Sequence, residues 1–202
     1  FDCNRVSPRN RGIRNFRLYR NALHSVRSLL FERKPVRVMV LGGGCAVTSA
    51  AVTYLSTVFD GLRVIWIDAH PDLCSPATSS SGYIHGMALS IVTDEATHRL
   101  MYPESTPIPS SRIGLLGQKE IEPQERQRIG KGRFCLLSWL GDLTGALAGF
   151  LAEDLESSAY VHIDLDVLHP SDYFNPKCGV PDGMSVGELG GVVREITNQA
   201  KV

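Results

Sequence analysis

From Val36 onward the sequence repeats one pattern: a short apolar run rich in β-branched residues, a glycine-rich or polar loop, then a stretch whose apolar residues recur at helical spacing. Runs of this length suit strands. With no polar alternation, they suit strands buried on both faces, and the intervening helical stretches are what parallel strands need as crossovers. The pattern predicts strands near Val36–Leu41, Arg63–Ile67, Arg112–Leu116, Arg133–Leu137 and Tyr160–Ile163. It predicts helices near Ala46–Phe59, Glu122–Ile129, Leu143–Leu155 and Val186–Gln199, the last opened by Ser185 and Glu188 as a capping box. An earlier amphipathic helix carries Phe16, Tyr19, Leu23, Val26 and Leu30, with arginines on its solvated face. The expected fold class is α/β, a parallel β-sheet flanked by helices on both faces, in one domain over residues 1–202.

Charge narrows the partners. Lys plus Arg and Asp plus Glu number 21 each, so nothing at the scale of the whole chain favours nucleic acid or an anionic membrane, and a small molecule is the default ligand. The longest apolar runs fall far short of the roughly 20 residues a membrane-spanning helix needs. Residues Phe1 to Asn4 show no charged-then-apolar leader, and the expected localisation is cytoplasmic. The five cysteines Cys3, Cys45, Cys74, Cys135 and Cys178 are odd in number and include no Cys-x-x-Cys pair, so they do not read as a disulfide framework.

In open α/β sheets, ligands sit beyond the carboxyl ends of the strands. Here those ends read Gly42-Gly43-Gly44-Cys45, Asp68-Ala69-His70-Pro71-Asp72 and His162-Ile163-Asp164-Leu165-Asp166. Carboxylates packed at strand ends repel one another and lose hydration unless a positive charge offsets them, and a divalent cation is the usual solution. One Asp after a strand is ordinarily a turn former or helix cap. Four carboxylates and an imidazole at two strand ends of one sheet point instead to a metal site. If both stretches stay extended, alternation puts Asp68, His70 and Asp72 on one side, and Asp164 and Asp166 likewise. The triple glycine fits neither phosphate-loop pattern, since Val47 occupies the sixth position and no Gly-Lys-Ser/Thr follows, so it reads as a tight turn into a helix.

Taken in order, Asp68 to Asp72, then Ser81-Gly82-Tyr83-Ile84-His85-Gly86-Met87, then Asp164-Leu165-Asp166 followed by Val180 to Met184, resemble the signatures of the arginase, agmatinase and formiminoglutamase (ureohydrolase) family. The resemblance covers about residues 36 to 190. It implies an arginase-like three-layer α/β/α sandwich binding a pair of manganese ions. Asp68 and Asp164 would bridge the ions, His70 and Asp166 would complete one shell, and Asp72 would serve the other. His85 matches the family's proton-shuttling histidine.

The donor types fit that implication. Oxygen ligands with an imidazole suit manganese or a similar ion, and water between two cations is acidified enough to supply hydroxide near neutral pH. Attack on the central carbon of a guanidinium or related C=N group then needs an acid for the leaving amine, a task open to His85.

The sequence also departs from the family. Cys45 stands where the first signature, Gly-Gly-Asp-His-Ser, has its metal-binding His, with Gly44 and Ala46 in place of Asp and Ser. A thiolate there would shift preference toward Zn2+ or Fe2+, and without it one ion would remain. Two asparagines that hold the amino-acid end of arginine are replaced by Cys74 and Tyr83, while Ser81 is kept, so Ser81, Tyr83 and Cys74 form the expected substrate set. The family's last strand and its guanidinium-binding Glu have no counterpart before Val202. His169 replaces a family Asp. The expected function is a metal-dependent hydrolase of linear amidines or guanidines, with a small guanidino or amidino compound as partner and a homo-oligomeric state. The alternatives are a catalytically silent relative acting as a binding or regulatory subunit, a single-metal deacetylase-like hydrolase, and a dinucleotide binder, which leaves His70, Asp72, Asp164 and Asp166 without a role.

Overall fold

The computed structural model describes residues 9–151, 158–173 and 180–200. In chain order its elements are β1 (Arg9–Asn10), β2 (Ile13–Arg14), α1 (Phe16–Arg33), α2 (Thr48–Leu55), β3 (Arg63–Ile67), α3 (Ala88–Thr93), α4 (Glu95–Met101), β4 (Ile113–Leu116), α5 (Pro123–Lys131), β5 (Cys135–Leu137), α6 (Leu143–Leu151), β6 (Ala159–Ile163) and α7 (Val186–Gln199). The chain groups into two compact units: Phe1–Tyr54 with Asp72–Pro107, and Leu55–Pro71 with Ile108–Val202. No helix among the described residues is long and apolar enough to cross a membrane.

The second unit holds a parallel sheet in the order β5-β4-β3-β6. Central strand β3 reads Arg-Val-Ile-Trp-Ile and is buried throughout, as a strand covered on both faces should be. Ile65, Ile67, Leu116 and Leu137 pack with Leu147, Phe150 and Leu151 of α6 and with Leu189, Val192 and Ile196 of α7. The capping box read from the sequence starts α7. Ser185 Oγ accepts from Glu188 N at 3.1 Å, and Ser185 N donates back to the Glu188 carboxylate at 2.7 Å.

In the first unit a separate core gathers Ile13, Phe16, Leu23, Ala50, Ile84, Met87, Ile91, Met101 and Tyr102. At its centre His98 places Nδ1 2.7 Å from the Ile91 carbonyl and Nε2 3.0 Å from Ser105 Oγ. Burial, the largest influence, lowers its pKa below the ordinary 6.5.

Several expectations are corrected. Val36–Leu41 is not a strand; among the described residues it pairs with none, and Val36, Met39 and Leu41 are 69%, 87% and 87% exposed. An apolar β-branched run can pleat, but a strand exists only when a neighbour completes its hydrogen-bond ladder. The helix expected over Ala46–Phe59 is a 3-10 turn (Cys45–Val47) followed by α2, which stops at Leu55. Tyr19, expected on the buried face of α1, is 37% exposed. The helix from Leu143 is described to Leu151, and its expected continuation to 155 lies outside the described residues. The hairpin β1–β2 and helices α3 and α4 carried no expectation.

Candidate metal centre

Strands β3 and β6 pair in parallel with Trp66 opposite His162 and Ile67 opposite Ile163. Both then leave the sheet at an aspartate, Asp68 and Asp164, and the ladder runs one step further as Asp164 N donates to the Ile67 carbonyl at 2.9 Å. Two carboxylates are thereby fixed side by side at the carboxyl edge. Gly117 makes room for this edge. Its φ is +100°, and a Cβ there would lie 2.5 Å from Val167 Cγ2 and 3.1 Å from the Asp68 carbonyl oxygen. The Gln118 amide closes the edge, donating to the carbonyls of Trp66, Leu116 and Asp68 at 3.1, 3.2 and 3.3 Å.

Ligand-type atoms gather here in two groups that share Asp68. Asp68, His70 and Asp166 form one, and Asp68, His162 and Asp164 belong to the other, with the atoms of each group within 4.8 Å of one another. Ligand bonds of about 2.0–2.2 Å place the donors around one ion roughly 3 to 4.4 Å apart, so the spacing suits a cation. The burial suits one too. Asp68 is 1% exposed, and among the described residues its Oδ2 accepts no hydrogen bond, which is costly for a carboxylate unless a cation takes the lone pair.

One oxygen of each carboxylate is held by backbone. Asp68 Oδ1 accepts from His70 N at 2.7 Å, Asp166 Oδ1 from Ala69 N at 3.2 Å, and Asp164 Oδ1 from Asp166 N at 3.0 Å. His70 Nδ1 sits 3.0 Å from Asp166 Oδ2 and 3.6 Å from Asp68 Oδ1. Hydrogen bonding to Asp166, then to Asp68, pushes the His70 pKa up to about 11. Without a cation, a protonated His70 supplies the positive charge these carboxylates require.

Asp68, His70, Asp164 and Asp166 therefore come together, though not by the expected alternation. The extended run ends at Ile67, Leu165–Val167 forms a 3-10 turn, and Asp72 is left-handed with φ 50°. Tight turns deliver the side chains instead. His162 was not expected in the cluster; its signal was visible, because residue 162 shares a strand face with Asp164.

The remaining expected residues belong to the first unit. Asp72 is buried, and its carbonyl accepts from Leu89 N and Ser90 N, each at 3.1 Å. Cys45 opens the 3-10 turn before α2. Ser81, Tyr83 and His85 are exposed on one loop, where Arg14 donates to the Ser81 carbonyl at 2.8 Å and lies over the Tyr83 ring, and Tyr83 stacks on His85. Cys74 does not join them. It is 4% exposed and packs in the core of that unit.

The chain is similar to known proteins. Arginase from Staphylococcus aureus (strain COL) is 41% identical over 91 residues, covering 45% of this chain and 30% of that protein. The structure of arginase from Bacillus caldovelox superposes with a TM-score of 0.84 at 21% identity, over 98% of this chain and 70% of that one. Arginase from Entamoeba histolytica, solved in complex with L-ornithine, gives 0.80 at 19% identity, over 94% of this chain and 68% of that one. The α/β sandwich is therefore the arginase fold. The family model described as "Arginase family" matches residues 2–202, and on that match the chain belongs to the arginase family.

Proposed function

We propose that the protein is a metal-dependent hydrolase acting on non-peptide C–N bonds of linear amidines or guanidines. The observation that carries this reading is buried Asp68, which belongs to both groups of ligand-type atoms and whose Oδ2 accepts no hydrogen bond among the described residues. A pair of manganese ions fits that donor set, and a single ion, or Zn2+ or Fe2+, fits if Cys45 alters one shell. Such ions, when bound, lower the pKa of water so that hydroxide is available near neutral pH.

The chain's own residues do the rest. Asp68, His70, Asp164 and Asp166 would hold the metal, and Asp72 is the proposed further ligand. His85, exposed and stacked against Tyr83, is the proposed proton donor to the leaving amine. Ser81 and Tyr83, on the same loop, are proposed to contact the substrate, a small guanidino or amidino compound. With Tyr83 and buried Cys74 where arginases have asparagines, several amide hydrogen bonds to the amino-acid end of arginine are absent, each worth about 1.5–3 kcal/mol to a charged group. Weak selectivity for arginine follows.

The test is a panel of arginine, agmatine, guanidinobutyrate and formiminoglutamate assayed with added manganese. Asp164→Ala should abolish turnover, whereas His85→Ala should slow it by about 10²- to 10⁴-fold and leave metal bound. Cys45 favours a second reading, a silent relative that binds but does not hydrolyse. No turnover of any of the four by metal-loaded protein would support that reading.

A further inference from the structure

We propose that His162 is a metal ligand through Nε2, giving the Asp68–Asp164 side of the centre an imidazole of its own; this rests on the proposed metal-binding function. Beyond the carboxylates, the group with Asp166 already has an imidazole in His70, whereas in the sequence Cys45 stands where the family carries its other ligand histidine. The sheet supplies a replacement from within the second unit. Trp66 on β3 and His162 on β6 are in register, each two residues before the aspartate, Asp68 or Asp164, that follows its strand. The His162 ring stacks on the Trp66 indole, centroids 3.7 Å apart and planes 15° apart. Trp66 is fully buried, so the imidazole plane is fixed by a side chain that cannot give way.

That stacking aims Nε2 along the sheet face toward the edge. Nε2 lies 3.5 Å from Asp68 Oδ2, the buried oxygen that accepts no hydrogen bond among the described residues. An imidazole donating to a carboxylate sits about 2.7–2.9 Å away. A separation of 3.5 Å is too long for that bond and matches two donors facing one cation. His162 is itself 8% exposed, held within the same buried edge as Asp68. Ligation uses the neutral ring with its proton on Nδ1 and a lone pair on Nε2. Each side of the centre then has one imidazole, His70 or His162, with Asp68 between them.

The experiment is a titration of the full chain, its histidine side chains labelled with nitrogen-15, with zinc sulfate alone, followed by imidazole NMR. The His162 ring is assigned in the unmodified protein from its contacts with the Trp66 indole, so the result does not depend on a variant that folds. The expected outcome is that the His162 Nε2 resonance moves on zinc binding and shows no attached proton in the loaded protein. His162→Gln should in addition weaken zinc binding by more than about 100-fold, since even residues that only orient a ligand cost about 10- to 100-fold. If zinc binds, shown by a shifted His70 resonance, while His162 Nε2 keeps its proton, the residue merely positions Asp68 and the inference is wrong. If zinc perturbs neither histidine, the inference and the metal-dependent function both fall.

Discussion

Replacing Gly117 by alanine tests how tightly the sheet edge under Asp68 is built. The residue has φ +100°, a conformation alanine rarely adopts, and holding a side chain there costs about 1–3 kcal/mol. The new methyl would also meet Val167 Cγ2 at 2.5 Å and the Asp68 carbonyl oxygen at 3.1 Å. Val167 is 1% exposed within the core and β-branched, so it has nowhere to turn, and such overpacking costs about a further 1–3 kcal/mol. The two effects sum to about 2–6 kcal/mol, against a total stability of about 5–15 kcal/mol for ordinary domains. Urea unfolding followed by far-ultraviolet circular dichroism measures the change as a shift in midpoint at constant slope. Gly149→Ala is the matched control. It lies inside α6 with nothing within 4 Å of where the new methyl would stand, and the helix should gain about 0.5–1 kcal/mol. A Gly117→Ala protein within about 0.5 kcal/mol of the parent, the spread of ordinary surface changes, would refute the close approach on which the geometry of Asp68 depends.

Two further predictions concern protons. His98 is held neutral by burial, so the unfolded chain takes up its proton first as the pH falls; stability from this group is present above about pH 6.5 and lost below it, and His98→Gln should flatten the acid limb of a plot of melting temperature against pH. His70 behaves oppositely, because its folded pKa is raised to about 11: its contribution is full below about pH 6.5 and is lost as the pH rises toward 11. A cation ligated by His70 must displace that proton, so calorimetry of manganese binding at about pH 7.5 in buffers of different ionisation enthalpy should show proton release that His70→Gln removes.

Much of the site was legible because strand ends in a parallel sheet are few and their residues are conspicuous. Asp68 and Asp164 follow directly from β3 and β6, and the Ser185–Glu188 capping box marked the start of α7. What escaped depends on contacts distant in sequence. Val36–Leu41 has the composition of a strand, yet pairing decides whether one forms. His162 was visible as a residue, but its aim toward Asp68 comes from stacking on Trp66, 96 positions earlier. Strand alternation does not extend to Asp72, which is left-handed, or to Asp166, which lies in a 3-10 turn. Arg9 and Arg14, which tie the hairpin to the loop over Ser79 to Ser81, gave no sequence signal at all.

Metal content tests the Asp68 cluster most directly. Protein stripped with chelator, equilibrated separately with manganese, zinc or ferrous iron and passed through a desalting column should retain bound metal, up to two ions per chain by elemental analysis. The double variant Asp68→Asn with Asp164→Asn should retain none while keeping the parent's circular dichroism. Folded parent protein that retains no manganese, zinc or iron under these conditions would contradict the assignment of the Asp68 cluster as a metal centre.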